Sequence, residues 1–291
     1  MCTLKCAGCA RTRFIDQWPQ HWRNHNLSIP ALMQFLDVDL TGMSVEFCGD
    51  YGDPIYHPEF IEMVGAVKRR GAQVVITTNG SYHQADWWEE LCQCLDAGDI
   101  IRFSIDGMPD NFTQYRKNAD WTSIKSGIDV CRTHPVQLFW KFIPFAYNHH
   151  QIEQAQDLAT KLGMGFILDA SDRFDATTLH YQPPAEFLRS RSQAQQQVKQ
   201  GHQQAVTPKC QNGKMHYISA SGHFVPCCYL ADHRFYYKTD FGKNKPVYQI
   251  AQTTFTSVMS KPKVIEFYQD ININPHVACQ YNCPSTCKLD L

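Results

Sequence analysis

The sequence predicts an α/β fold: a parallel sheet built from successive strand–helix units over residues 1–175, then a small α+β domain. Three observations carry this. Strand-like runs recur near 43–48, 73–78, 99–105, 136–143 and 164–169, at intervals of about 25–35 residues, the length of a βα unit. Helical periodicity fills the gaps, over 58–70, 84–97, 121–133 and 148–162. Beyond residue 170 the pattern lapses, and after Lys209 cysteines return in a new arrangement.

Phe14 to Asn26 is aromatic and polar, a short helix broken near Pro19. A second helix begins at Ser28, an N-cap residue, with Pro30 in its first turn. In the 58–70 helix, Phe60, Ile61, Val64 and Val67 form one apolar stripe and Gly71 ends it; Gly163 ends the 148–162 helix. Strands alternating with helices imply a parallel sheet. Several strands carry one polar face. Ser44, Glu46 and Cys48 alternate with Met43, Val45 and Phe47; Arg102, Ser104 and Asp106 with Ile101, Phe103 and Ile105; Gln137, Phe139 and Lys141 with Leu138, Trp140 and Phe142. Helices should cover the apolar faces. The polar faces then line an interior open to a polar substrate, with Glu46, Arg102 and Lys141 as candidate catalytic residues and Asp169 at the rim. The alternative places these charges at strand starts, in salt bridges. Residues 176–209, with Pro183-Pro184 and the Gln-rich Ser190–Gln204, read as a polar linker or exposed helix. Residues 210–291 form the second domain.

Bulk properties narrow the function. With 291 residues and a net charge of −1, the chain shows no basic footprint for nucleic acid. No apolar run reaches the ~20 residues of a membrane span, and the N-terminus lacks the basic-then-apolar pattern of a signal peptide. Thirteen cysteines without a secretion signal point to metal binding or catalysis in a reducing compartment, and to a cytoplasmic location.

Cys2, Cys6 and Cys9 sit at x3 and x2 spacing within nine residues. Four-iron clusters are held by cysteine thiolates, and a triplet leaves one iron open to a small molecule. Half a zinc site or three chance cysteines are the plainer alternatives. Turns rich in glycine follow three strands: Gly52-Asp53-Pro54, Thr78-Asn79-Gly80 and Ser104-Ile105-Asp106-Gly107, the last followed by Arg116. Near the C-terminus, Cys210 is followed by Gly222 and Cys227, then by Cys279, Cys283 and Cys287. A hairpin over Met215–Pro226 brings Cys210 and Cys227 to one site. Four thiolates there suit either an iron–sulfur cluster or zinc.

The CxxxCxxC spacing of Cys2, Cys6 and Cys9 resembles the signature of the radical S-adenosylmethionine (radical SAM) superfamily. The C-terminal cysteines resemble the opening of the Twitch and SPASM domains appended to such enzymes. The resemblance covers almost the whole chain. It implies a partial (β/α)6 TIM-like barrel whose first strand, normally before the cysteine loop, is missing here, so an upstream start is expected. It implies a [4Fe–4S] cluster on Cys2, Cys6 and Cys9, with S-adenosylmethionine on the open iron. Gly52 and Asp53 stand where a Gly-Glu-Pro turn meets the methionine amino group, with Asp for the usual Glu. Asn79 belongs to the family's TNG turn; Ser104, Asp106 and Arg116 are placed near the ribose and carboxylate. Gly8 stands where an aromatic often packs on the adenine, which leaves adenine contacts to Ile143 or the 167–173 segment. An auxiliary [4Fe–4S] cluster would use Cys210, Cys227 and two of Cys279, Cys283 and Cys287. The implied activity is reductive cleavage of S-adenosylmethionine to a 5′-deoxyadenosyl radical, which takes hydrogen from a peptide or small polar substrate. The auxiliary cluster would accept an electron or bind substrate, and an external donor such as flavodoxin or ferredoxin would reduce the enzyme. The rival class is a non-catalytic iron–sulfur or zinc protein that transfers electrons or binds a partner.

Overall fold

The structure, a computed structural model, describes residues 1–49, 51–171, 173–188, 192–210 and 215–285. In chain order its first elements are α1 (Ala10–Gln17), α2 (Ile29–Phe35), β1 (Ser44–Phe47), α3 (Phe60–Lys68), β2 (Gln73–Thr78), α4 (Ala85–Cys92), β3 (Ile100–Ser104), α5 (Trp121–Cys131), β4 (Gln137–Phe142), α6 (Ile152–Lys161) and β5 (Gly165–Leu168). The five strands form one all-parallel sheet in sequential order. Each strand-like run of the sequence is a strand, within a residue at either end.

Sequential order has a consequence. Right-handed crossovers that always step the same way deliver every helix to the same face of the sheet. The side chains agree. Phe47 meets Phe60 of α3 at 5.3 Å, Phe103 meets Trp88 of α4 at 5.3 Å, and Trp140 meets Trp121 of α5 at 6.0 Å. Ile76, Ile101, Phe103, Trp140 and Phe142 are all fully buried. The alternate residues Glu46, Thr77, Arg102, Ser104 and Lys141 lie on the other face and keep part of their surface. The period-2 polarity of the sequence therefore separates a helix-covered face from a polar one.

The helices are shorter than expected. The helix predicted over 84–97 stops at Cys92. Beyond it the fully buried Asp99 accepts from the backbone N–H of Asp96 at 2.8 Å and of Val74 at 2.7 Å, and pairs with Lys68 at 2.8 Å. Asp120 caps α5, accepting from Ser123 N–H at 2.8 Å and its hydroxyl at 2.6 Å. The Ser123 hydroxyl and the helix N–H groups hold the Asp120 carboxyl below its ordinary value. Such a group stabilises the fold above its unfolded pKa of about 3.9 and loses that contribution as pH falls through the lower folded value. Asp120→Ala is expected to cost about 1 kcal/mol at neutral pH, read as a lower urea midpoint, with the difference from wild type vanishing in acid.

The chain divides into two units. Residues 1–24 and 40–188 form one; residues 25–39 join the described residues beyond Leu188. The division departs from the contiguous ranges 1–175, 176–209 and 210–291. Ser28 does cap α2, accepting from Ala31 N–H at 3.4 Å. Yet the helix packs in the second unit, with Phe35 against Phe224 at 5.8 Å and Phe255 at 6.0 Å. Periodicity says that a face is buried, not against what.

The second unit continues with α7 (Ser192–Lys199), β6 (Tyr217–Ile218), β7 (Phe224–Val225), α8 (His233–Tyr236), α9 (Asp240–Lys243), α10 (Phe255–Met259), α11 (Pro262–Asp270) and α12 (Val277–Asn282). β6 and β7 form the expected antiparallel hairpin, pairing Tyr217 with Val225 and Ile218 with Phe224. Gly222 takes the left-handed turn position at φ 77°, where only glycine is unstrained. No helix among the described residues is long and apolar enough to cross a membrane.

Candidate active site

The cysteine loop runs into α1, with Cys9 as its N-cap and Cys9 N–H donating to the Cys6 carbonyl at 3.1 Å. Its backbone is tied down on all sides. Lys5 N–H donates to the Lys117 carbonyl at 3.0 Å, and Asp53 N–H to the Met1 carbonyl at 2.9 Å. Asn118, left-handed at φ 69°, donates its amide to the Thr3 carbonyl at 3.2 Å. The Thr3 hydroxyl meets Tyr56 Oη at 2.7 Å. Arg11 reaches back from α1 to donate to the carbonyls of Leu4, at 3.0 Å, and Cys2. These restraints fall on main-chain groups and a hydroxyl, leaving the three half-buried thiols as the donor set. Each lies within electrostatic range of another. Burial pushes the Cys6 thiol up to about 12, against the lowering influence of Arg116, with Cys9 and Cys2 adding to the rise. Burial and then Asp53 raise Cys2. Sequence reading passed over Arg11, Tyr56 and Asn118. Only the position of Arg11, two residues past Cys9 in the first turn of a helix, hinted at a strap.

Asp53 joins the first two turns. Its Oδ1 accepts from Thr78 Oγ1 at 2.8 Å and Ile55 N–H at 3.3 Å; its Oδ2 accepts from Asn79 N–H at 2.7 Å and Asn79 Nδ2 at 2.5 Å. A carboxylate offers about four lone-pair sites, and all four are filled. Burial raises the carboxyl while these donors hold it down, the Asn79 N–H most strongly. Asn79 Nδ2 also faces Cys2 Sγ at 3.7 Å. The aspartate in place of glutamate thus fixes the amide that meets the cysteine loop. Gly80 is left-handed at φ 70°, and a Cβ there would stand 2.8 Å from the Phe103 ring.

Asp106 and Arg116 form a buried pair at 2.7 Å, and Asp106 Oδ1 accepts from Ile143 N–H at 3.0 Å. Burial pushes the Asp106 carboxyl up and the Arg116 guanidinium opposes it. Arg116 also lies within electrostatic range of Cys6, which brings the end of β3 near the cysteine loop. Ser104 lies on the polar face, opposite Lys141. Tyr115 stacks on Phe145 at 4.1 Å, and its Oη would stand 2.5 Å from a Cβ on residue 8. The ring beside residue 8 is thus supplied by Tyr115.

The three polar-face candidates are charge-paired. Arg102 meets Glu46 at 3.0 Å, with Thr77 Oγ1 3.3 Å from the same oxygen, and Lys141 meets Asp169 at 2.8 Å. They point away from the helices, as the alternation requires, and they are salt-bridged, as its alternative had it.

In the second unit Cys210, Cys227, Cys279 and Cys283 are all buried. Cys210 donates to Cys227, which also receives the Cys228 thiol and the N–H groups of Tyr229 and Leu230, so Cys227 is drawn toward the thiolate and Cys210 is pushed up. Cys279 and Cys283 lie within electrostatic range of this pair. Cys287 lies outside the described residues. Among the described residues, no three His, Cys, Asp or Glu side chains converge as the ligands of a single ion do. The thiolates of a multi-iron cluster each take a different iron.

The family model of the radical SAM superfamily matches residues 1–159. The chain belongs to the radical SAM superfamily, a family of enzymes. A curated relative, the tungsten-containing aldehyde ferredoxin oxidoreductase cofactor-modifying protein of Pyrococcus furiosus, is 29% identical over 112 residues. That match takes in 37% of this radical SAM chain and only 29% of the relative. Two solved structures share the fold. The native anSMEcpe with bound AdoMet and Cp18Cys peptide has a TM-score of 0.57 at 13% identity, covering 96% of this chain and 85% of that one. SuiB of Streptococcus suis bound to S-adenosylmethionine has a TM-score of 0.56 at 11% identity, covering 99% and 75%.

Proposed function

We propose that Cys2, Cys6 and Cys9 hold a [4Fe–4S] cluster with one open iron, and that this radical SAM enzyme binds S-adenosylmethionine there to act on a peptide or small polar substrate. The observation that carries the reading is the meeting of three turns at one place. The Asp53–Asn79 clip and the Asp106–Arg116 pair both reach the cysteine loop from the C-terminal ends of β1, β2 and β3. In barrels of parallel strands that end carries the active site. The donor set fits the group: three thiols in mutual range, on a loop held by other atoms. When bound, the cluster supplies the single electron for reductive cleavage of S-adenosylmethionine.

The chain's own residues orient and enclose. Asp53 holds the Asn79 amide toward Cys2. Asp106 fixes the Arg116 guanidinium beside Cys6, where it provides a cation for the methionine carboxylate. Tyr115 and Phe145 form an apolar wall next to Gly8. We read the sheet as a partial barrel whose polar face, with the Glu46–Arg102 and Lys141–Asp169 pairs, meets the substrate. Two structural relatives, anSMEcpe with its Cp18Cys peptide and SuiB with its precursor peptide SuiA, favour a peptide. We read the second unit as a Twitch/SPASM-like domain whose Cys210, Cys227, Cys279 and Cys283 hold an auxiliary cluster, reduced like the first by an external donor such as flavodoxin or ferredoxin. The test is spectroscopic. In the anaerobically reduced enzyme, adding S-adenosylmethionine should change the electron paramagnetic resonance signal of one cluster and leave the other. A spectrum unmoved by saturating S-adenosylmethionine contradicts the reading.

A further inference from the structure

A cavity of about 370 Å³ lies in the second unit, walled by α7, α8 with the turn after it, and α12. Its size falls near the lower end of small-molecule pockets, about 300–1,000 Å³, enough for a single ring and its substituent. Lys199, Arg234 and Lys238 line it and, among the described residues, no carboxylate does, in a chain whose net charge is only −1. The three cations are exposed; the rings of Phe235 and Tyr281 are 8% and 7% exposed. The cavity therefore has a basic rim and an aromatic floor.

The cations are not equivalent. Arg234 is bidentate on Asp232, at 2.6 and 3.0 Å, donates to Tyr281 Oη at 3.3 Å and lies 5.0 Å over that ring. It is neutralised and belongs to the wall. The ammonium groups of Lys199 and Lys238 make no hydrogen bond or ion pair among the described residues. Two like charges beside one cavity repel, and an anion between them turns that repulsion into attraction. Arg234 covers the faces of both rings, so the apolar area for whatever carries the anion comes from the half-exposed Val277 and the ring edges, worth about 25 cal/mol per Å² buried.

We infer that this cavity binds an organic anion: a carboxylate or phosphate between Lys199 and Lys238, borne on an aromatic or branched apolar body laid against Val277 and the exposed edges of Phe235 and Tyr281. The inference does not depend on how the candidate active site is read. Its placement matters. Val277 and Tyr281 stand one turn apart on α12 and face the cavity, while Cys279 stands two residues from each, on the opposite face of the helix. A ligand here grips the back of a helix whose front carries one of the clustered thiols.

The test is calorimetric titration of the full chain, at low salt, with phenyl phosphate, benzoate, inorganic phosphate and benzyl alcohol. At least one ring-bearing anion should bind saturably, about tenfold or more tighter than inorganic phosphate or benzyl alcohol. The tighter of the two identifies the anion as phosphate or carboxylate. Lys199→Gln with Lys238→Gln should weaken that binding about tenfold or more. Val277→Glu, at an exposed position, sets a carboxylate at the mouth and should abolish it with both lysines intact. Unchanged thermal unfolding of the variants shows that the fold survives. Absence of saturable binding by both ring-bearing anions, binding undiminished in either variant, or inorganic phosphate or benzyl alcohol binding as tightly as the better ring-bearing anion, overturns the inference.

Discussion

Cys6→Ala is expected to abolish formation of 5′-deoxyadenosine from S-adenosylmethionine while sparing the second cluster. Two four-iron clusters hold about eight irons per chain, and the variant should retain about four. Cys6 is the thiol to choose because it sits deepest in the network, within range of Cys2, Cys9, Asp106 and Arg116. Its thiol donates to no described protein group, so its loss costs little beyond the cluster. Iron analysis with chromatography of the reaction products checks both halves. A variant that keeps the full iron content, or that still forms deoxyadenosine at the wild-type rate, removes Cys6 from the cluster.

Arg116→Met is expected to cost about 3–5 kcal/mol of stability, because it leaves the fully buried Asp106 carboxylate without its cation. Adding Asp106→Asn should return most of that loss, since the neutral amide still offers an oxygen to Ile143 N–H. The double variant separates fold from function. Urea unfolding should show it restored, whereas binding of S-adenosylmethionine should stay impaired, because the guanidinium beside Cys6 is gone. Recovery of binding together with stability would mean that Arg116 serves the fold alone.

These residues also show how far the sequence reaches. The sheet is legible because its strands are buried on one face by helices that flank them in the sequence. Phe47, Phe103 and Trp140 meet helices of neighbouring units, and their alternation with Glu46, Arg102 and Lys141 is local. The turns at Asp53, Asn79 and Asp106 are legible for the same reason, each standing at the end of its strand. What a side chain contacts across the fold is not. Nothing in Gly52-Asp53-Pro54 says that the carboxylate is spent on Thr78, Asn79 and Ile55, or that Glu46 and Arg102 find each other from β1 and β3. Arg11, Tyr56 and Asn118 hold the cysteine loop through main-chain groups and a hydroxyl, contacts that leave no pattern in residue type. Gly8 read as a missing aromatic; its partner Tyr115, beside Arg116, was in plain view but more than a hundred residues distant. The placement of α2 in the second unit failed to show because amphipathicity specifies a buried face without its partner.

The most direct test of the central claim uses the unaltered chain. Purified without oxygen and assayed for metal, sulfide and turnover, it should contain about eight irons with matching sulfide. On reduction with S-adenosylmethionine present it should form 5′-deoxyadenosine and methionine. Zinc in place of iron, or a fully loaded and reduced protein that leaves S-adenosylmethionine intact, would contradict it.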